Sequence, residues 1–429
     1  MIKYIQKELA FFGSHSLGMR VLLLTNLIYA LVLPIIELFI GAYIMRNSSD
    51  ISLVVVFQLA LYTGIPLTFL INGYLLNRIP ISWLYSFGML LSGISMTAMM
   101  MLDRLDTAGV AIAGLIMGLS YGFFWANRDY LALDTTTDKT RNYYYGIETF
   151  FYTLTFIIVP FVAGAFIATT QKNEWFGGNV NVAYYILTGV VFGLTVIASI
   201  LVHRGKFENP RKAPFLFFRF DKLWRKMLQL SALKGVAQGY IVTAPVMLIM
   251  KLVGEEGELG IIQSVGSLLS AILLYLLGRL AKPEHRLQIF LVGLSLFVLG
   301  AAINASLYSA WGVILFVLCL IFARPLLDIA YFPIQLGVID IVAAREKRNE
   351  FAYIFNHELG LYAGRLFGCG LFIILARTIS DEIALRYALL VIALIQFASY
   401  FVAKSILRDP DWDKQSAESE EGAILKEPI

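Results

Sequence analysis

The strongest constraint in this sequence is a repeated pattern of long apolar stretches. About twelve of them, each roughly 20 residues long, follow one another from Met19 to Ala403 with short polar breaks between them. Two examples are Val21–Ile44 and Leu53–Leu76. A stretch of this length matches the hydrocarbon core of a bilayer, where a helix satisfies all of its own backbone hydrogen bonds. The pattern therefore predicts an all-α membrane protein with about 12 transmembrane helices.

The composition narrows the class of protein further. Charged residues make up only 15% of the chain, against about 25% in soluble domains. The two cysteines, Cys319 and Cys369, lie inside apolar stretches and show neither a disulfide framework nor metal-ligand spacing. The net charge of +4 is no indication of nucleic-acid binding, because charge in such a chain is distributed by membrane side. No Walker loop or HExxH motif occurs, so we expect neither an enzyme nor a cofactor or metal.

Lysine and arginine are concentrated on alternate connections between the apolar stretches. This bias predicts an even number of spans and both termini in the cytoplasm. Two interpretations of the longest connection, 203–226, are open: an amphipathic connector on the membrane surface, or a regulatory, lipid-sensing segment. The predicted segments are an interfacial helix at 1–18, a six-helix bundle at 19–202, the connector at 203–226, a second six-helix bundle at 227–405 and a disordered acidic tail at 406–429.

The two halves of the chain resemble each other. The shared pattern is an acid after an apolar stretch, a basic residue a few positions later, then aromatic residues and a further acid in the next stretch. Its members are Asp134, Arg141 and Glu148 in the first half and Asp340, Arg348 and Glu358 in the second. Internal repeats in a membrane protein indicate a transporter whose site lies at the interface of the repeats.

Two short motifs resemble those of the major facilitator superfamily. Gly73, Leu75 and Arg78 match the superfamily's motif in the loop after the second span, with Asn77 in place of its usual aspartate. The run Gly118-Leu-Ser-Tyr-Gly-Phe-Phe-Trp125 is similar to the bacterial YQGE-type branch of the superfamily.

This resemblance implies a major facilitator fold, in which two pseudo-symmetric six-helix bundles surround a cavity lined by spans 1, 4, 7 and 10. It also implies a monomer in a bacterial inner membrane that works by alternating access. The residues expected to form a gate on the cytoplasmic side are Gly73, Asn77, Arg78, Asp134, Arg141, Glu148, Asp340 and Arg348. Within this gate, Glu148 is expected to contact Arg141 or Arg128.

Charged residues inside the spans are the main candidates for function, because a charge near the bilayer centre costs roughly 3 kcal/mol or more. Glu37 follows Pro34 in the first span, where a carboxyl in apolar surroundings can load and release a proton. A packing role beside a neighbouring arginine is the alternative for Glu37. Arg128 and Asp129 point about 100° apart on the fourth span, so one of them is expected to face the cavity. Arg128 either binds an acidic group of the solute or forms a structural pair.

Spans 10 and 11 carry further candidates. Arg324 and Asp328 share a helix face, so they either pair with each other or take part in transport. His357 can titrate near neutral pH or make a structural hydrogen bond, and Glu358 lies on one face with Arg365. The residues predicted to bind solute are Arg128, Asn127, Tyr121, Trp125, Arg324 and Asp328, and those predicted to couple protons are Glu37, Asp129, Glu358 and His357.

These features predict a secondary transporter that moves a small organic solute, anionic or zwitterionic, with protons as a candidate co-substrate and membrane lipids as its surroundings. Two other functions are open. One is a lipid flippase on the same scaffold, favoured by the aromatic spans and the amphipathic connector. The other is a membrane receptor or scaffold that transports nothing.

Overall fold

The computed structural model describes residues 11–136, 138–209, 216–217, 219–280, 283–348 and 350–412, and the structural statements below concern this part of the chain. Every regular element in these ranges is a helix. Twelve helices of the described part are long and apolar enough to cross a membrane, which confirms the predicted fold class. The predicted segment 1–18, the connector 203–226 and the tail 406–429 lie partly outside the described residues.

The twelve spans of the described residues are numbered in chain order. They run Leu17–Asn47, Ser52–Leu75, Ile81–Met100, Thr107–Ala132, Tyr143–Lys172, Asn181–Gly205, Lys222–Leu252, Glu256–Leu277, Arg286–Leu307, Ala310–Glu346, Ala352–Thr378 and Asp381–Leu407. Four helices continue past these limits, and their full bounds are Thr107–Thr135, Asp138–Lys172, Glu256–Leu280 and Glu350–Thr378.

Spans 1, 7 and 12 are not continuous α-helices. Span 1 contains a π-helical turn, Ile35–Phe39, directly after Pro34, which has no N–H for the regular helical ladder. Span 7 is divided into Lys222–Ile241 and Ala244–Leu252, and span 12 into Asp381–Phe397 and Ser399–Leu407. Irregular backbone at membrane depth is tolerated where it is buried in protein or lines a cavity. These three positions are therefore candidate places for a binding site.

Polar side chains define the starts of several helices. Each accepts a hydrogen bond from a backbone N–H of the first turn, which has no partner within the helix. These N-caps are Ser16, Asp106, Asp221, Ser309 and Ser380.

Glycines allow two pairs of spans to pack with their backbones in contact. A Cβ atom on Gly118 of span 4 would lie 2.1 Å from the carbonyl oxygen of Leu61 in span 2. A Cβ atom on Gly364 of span 11 would lie 1.9 Å from the carbonyl oxygen of Ala232 in span 7. Small residues are the usual means of close helix contact in membranes, where burial of apolar side chains supplies little driving force.

The chain forms two compact units. The first unit consists of Met1–Lys212 and Ile249–Leu268, and the second consists of Ala213–Leu248 and Leu269–Ile429. The first unit thus includes the last residues of span 7 and the first part of span 8. The bundle limits 19–202 and 227–405 stay a prediction.

Candidate functional site

In the first unit, Glu148 is the centre of a buried hydrogen-bond network. Its side chain is 2% exposed, and its Oε1 atom accepts from Asn26 Nδ2 at 2.6 Å and from Arg128 Nε at 2.9 Å. The Tyr144 hydroxyl donates to the same oxygen at 3.0 Å, and Arg128 Nη2 donates to Oε2. Asn26 also accepts from the Tyr85 hydroxyl, so the network connects spans 1, 3, 4 and 5. The expected contact between Glu148 and Arg128 is confirmed.

Arg128 and Asp129 contact each other although they are adjacent on one helix. Arg128 Nη1 donates to Asp129 Oδ1 at 2.6 Å, because the long arginine side chain can turn back along the helix. Their exposure still differs as expected for neighbours that point in different directions. The Arg128 side chain is 14% exposed and packed against span 5, whereas that of Asp129 is 60% exposed. Arg128 is therefore held between two carboxylates, and Asp129 is the open member of the pair.

Two other predicted solute-binding residues of span 4 are engaged in packing. Asn127 is fully buried and exchanges hydrogen bonds of 3.0 Å with Asn72 of span 2. The Trp125 ring lies 5.5 Å from the Arg128 guanidinium carbon and 6.1 Å from the Tyr152 ring. Both side chains therefore help to hold span 4 in place.

The π-helical turn of span 1 positions Glu37, and its side chain is exposed. Tyr121 is 7% exposed, and its hydroxyl has no hydrogen-bond partner among the described residues. The proton-coupling role of Glu37 and the solute-binding role of Tyr121 stay predictions.

The second unit contains a cavity of about 210 Å³ lined by spans 7, 9, 10 and 12. Spans 7 and 10 belong to the set expected to line a cavity, whereas spans 9 and 12 do not. Apolar side chains form much of its wall, among them Leu230, Phe290 and Leu327. Its polar lining comes from Lys234 and Gln238 on span 7, Arg324, Asp328 and Tyr331 on span 10, and Gln396 and Ser399 on span 12. The predicted residues Arg324 and Asp328 thus share one cavity.

Lys234 makes the main charged contact in this cavity. Its Nζ atom donates to Asp328 Oδ1 at 2.9 Å and lies 4.0 Å and 4.1 Å from the ring centres of Tyr331 and Phe332. The Lys234 side chain is 18% exposed and that of Asp328 is 47% exposed. An ammonium ion between a carboxylate and two aromatic faces is stabilised by both kinds of contact.

Arg324 contacts the interruption of span 7. Its Nη2 atom donates to the carbonyl oxygen of Ile241 at 2.7 Å. In a regular helix that oxygen would accept from residue 245, which is a proline and has no N–H. The free carbonyl of the interrupted helix therefore helps to orient the Arg324 guanidinium in the cavity wall.

The candidates of span 11 lie behind the cavity. His357 Nε2 is 2.6 Å from the hydroxyl of Tyr331, which lines the cavity. Arg365 donates to Glu358 and to Gln238 Oε1, at 2.9 Å from Nη2 and 3.0 Å from Nε. The predicted placement of Glu358 and Arg365 on one face is confirmed. The hydrogen-bond interpretation of His357 is also confirmed, and its role in proton coupling stays a prediction.

The predicted gate motif after span 2 is held by a residue that follows span 6. Asn209 Nδ2 donates to the carbonyl oxygens of Leu76 and Ile79 at 2.7 Å and 2.9 Å, and Asn209 Oδ1 accepts from the Ile81 N–H. Asn77, at the aspartate position of the motif, donates to the carbonyl of Gly73 at 3.3 Å. The neighbouring Arg78 is exposed.

The remaining predicted gate residues lie at helix ends. Asp134 is exposed near the end of its helix, where partial burial and the Glu208 carboxylate raise the pKa of Asp134. Asp340 is exposed on span 10. Arg348 Nε donates to Glu346 at 2.9 Å. The side chain of Arg141 lies outside the described residues, and the gate role of this set stays a prediction.

A network that the sequence analysis did not identify lies at the predicted outer side of the first unit. Arg46, at the end of span 1, donates through Nε and Nη2 to both oxygens of Glu256, each at 2.6 Å. Glu256 is fully buried and also accepts from the Tyr184 hydroxyl. Arg46 donates further to Gln171 at 2.9 Å. These contacts connect the start of span 8 to spans 1, 5 and 6.

Lys234 is the most important residue that the sequence analysis missed. The signal was present, because placing a lysine between Leu230 and Val236 inside a span costs free energy in a bilayer, as it does for Arg324 and Asp328. Gln396 and Ser399 had no comparable signal, since uncharged polar residues are common within spans.

Comparison with known proteins finds a family model that matches most of this chain. The family model described as Major Facilitator Superfamily matches residues 21–368. A relative in Bacillus subtilis (strain 168), the "Uncharacterized protein YqgE", is 21% identical over 415 residues, which cover 96% of this chain and 95% of the relative.

Two solved structures show the same fold. The nucleoside transporter NupG superposes with a TM-score of 0.67 at 14% identity, over 92% of this chain and 99% of NupG. A bacterial homologue of the human lysosomal transporter Spinster, in an inward-facing and unoccupied conformation, has a TM-score of 0.63 at 13% identity. That match covers 91% of this chain and 96% of the homologue.

Proposed function

We propose, because this chain belongs to the Major Facilitator Superfamily, that it is a secondary transporter for a small organic solute with an acidic group, coupled to protons. In this proposal the acidic group of the solute contacts Lys234 and Arg324 in the cavity of the second unit. A zwitterionic solute would place its cationic group against Asp328. The transport cycle is alternating access, as in the family.

The charged side chains that line the cavity are the main support for this proposal. Two cationic side chains, Lys234 and Arg324, and one carboxylate, Asp328, are among its lining residues. The apolar wall lowers the local dielectric, so these charges act more strongly on a solute than they would in water. An acidic group is the chemistry that such a lining attracts, and the guanidinium fork of Arg324 suits a carboxylate or phosphate.

The Lys234–Asp328 contact supplies a route to proton coupling. An arriving anionic group competes with Asp328 for the Lys234 ammonium, which is 2.9 Å from the carboxylate. A proton on Asp328 removes that competition, so the solute and a proton favour each other's binding. The exposed carboxylates of the first unit, Glu37 and Asp129, remain proposed proton-coupling groups beside Asp328.

The proposal is tested with purified protein in liposomes that enclose a pH-sensitive dye. Organic acids, organic phosphates, amino acids, nucleosides and amines are added one at a time, with and without a pH gradient. We expect acidic or zwitterionic solutes to carry protons inward, and the double variant Lys234→Gln/Asp328→Asn to lose roughly ten- to hundredfold of that rate. The double variant leaves no unpaired charge, so it tests the site with the least effect on folding.

Lys251→Gln is the matched control, because Lys251 is an exposed lysine of the same span and is not among the cavity-lining residues. This variant should transport at the wild-type rate. Transport confined to neutral or cationic solutes, or full activity of the double variant, would contradict the proposal. Movement of labelled phospholipid without solute flux would favour a lipid flippase.

A further inference from the structure

Two polar residues of span 12, Gln396 and Ser399, also line this cavity, although the residues are only 5% and 1% exposed. Neither Gln396 Oε1 nor Ser399 Oγ has a hydrogen-bond partner among the described residues. Buried polar atoms are nearly always hydrogen-bonded in folded proteins, so two unsatisfied atoms in one cavity wall indicate a missing partner.

The backbone between these two residues is tightened. Ala398 donates to the carbonyl of Ile395 at 3.1 Å, and its own carbonyl accepts from the Phe401 N–H at 3.1 Å and from the Val402 N–H at 3.4 Å. The two shorter bonds span three residues instead of four, while Ala398 keeps helical backbone angles.

The two unsatisfied groups select a particular ligand chemistry. An amide oxygen needs a donor, whereas a serine hydroxyl can donate or accept. A hydroxyl group on the solute satisfies both at once, because it donates one hydrogen bond and accepts others. A methyl group in the same place would leave both atoms buried and unsatisfied.

We propose that Gln396 and Ser399 form a specificity subsite for a solute hydroxyl, and that the solute is a small hydroxylated organic acid. The inference rests on the proposed function, because Lys234 and Arg324 of the same cavity hold the acidic group. The cavity of about 210 Å³ limits the solute to a small metabolite. In this proposal the subsite binds a hydroxyl group of the same solute whose acidic group contacts Lys234 and Arg324.

The test compares acids that differ only in their hydroxyl groups. Dissociation constants of the purified full chain are measured by calorimetry for propionate, lactate and glycerate, and for butyrate, 3-hydroxybutyrate and 4-hydroxybutyrate. We expect at least one hydroxylated acid to bind roughly ten- to hundredfold more tightly than its parent acid. In Gln396→Leu/Ser399→Ala this preference should disappear, while the affinity for the parent acid is kept.

Two controls separate recognition from folding. Ser405→Ala changes an exposed serine of the same span, and it should keep the preference. Ser399→Ala alone removes one atom and should reduce the preference even if the double variant fails to fold. Equal binding of the hydroxylated and parent acids by the wild-type chain, or a preference retained in both variants, overturns the subsite. If none of the six acids binds the wild-type chain, the proposal of a small hydroxylated acid fails, whereas the proposed function is decided separately by the liposome assay with its wider set of solutes.

Discussion

The Glu148 network makes a quantitative prediction, because one arginine contacts two carboxylates of very different exposure. Glu148 is 2% exposed and Asp129 is 60% exposed, and both accept hydrogen bonds from Arg128. Removing one member of a buried ion pair typically costs about 3–5 kcal/mol, whereas an exposed pair contributes about 0–1 kcal/mol. Burial, not the number of contacts, should therefore decide which carboxylate stabilises the protein.

We expect Glu148→Gln to lower the free energy of unfolding by about 3–5 kcal/mol. The glutamine amide would turn a donor toward Arg128 Nη2, which is itself a donor, and the charge that compensates the guanidinium would be lost. Asp129→Asn is the matched comparison and should cost about 1 kcal/mol or less, because Arg128 keeps its buried partner Glu148.

The measurement is unfolding of the purified protein in mixed detergent micelles, followed by tryptophan fluorescence as the denaturing detergent increases. The double variant Arg128→Met/Glu148→Gln removes the uncompensated charge, so it should recover most of the loss seen in Glu148→Gln. Equal losses for Glu148→Gln and Asp129→Asn would refute the reasoning from burial. The single variant Arg128→Met completes the comparison. If the double variant loses as much stability as Arg128→Met and Glu148→Gln added together, the assignment of a coupled pair is refuted.

Three further predictions concern packing, pH and a loop. Gly364→Ala should lower the free energy of unfolding by roughly 1–3 kcal/mol or more, because the new Cβ would lie 1.9 Å from a carbonyl oxygen of span 7. Gly189→Ala, where a Cβ would meet open space, should leave the free energy of unfolding unchanged or slightly higher in the same assay. Burial alone would raise the pKa of Asp409, but the hydrogen bond from Lys226 lowers this pKa. The contact should therefore stabilise the protein above about pH 4 and be lost as the pH falls further. Between pH 6 and pH 3, the melting temperature should fall less for Asp409→Asn than for the wild-type protein. Asn209→Ala removes three hydrogen bonds to the loop after span 2 and should lower the free energy of unfolding by roughly 1–3 kcal/mol. Limited proteolysis should then cut that loop faster than in the wild-type protein.

Some contacts of the candidate site could be predicted because they depend on one helix. Glu358 and Arg365 are seven residues apart, and helical geometry alone places them on one face. The same local geometry described the different exposure of Arg128 and Asp129, although it did not predict that the two side chains touch. Pro34 is a local signal for a distorted helix in span 1, because proline has no N–H for the helical ladder, and the structure shows that the distortion is a π-helical turn.

The number of spans and the membrane class of this protein follow from the sequence alone. These are local properties, since each stretch in a bilayer must satisfy its own backbone hydrogen bonds and be long enough to cross. The partners of the buried charges, in contrast, depend on how the helices pack. Lys234 and Asp328 are 94 residues apart, and Arg46 and Glu256 are 210 apart, so their contacts depend on which helices pack together and at what depth. That packing is set by the glycine contacts and helix interruptions of many spans together, and no single stretch of sequence contains it.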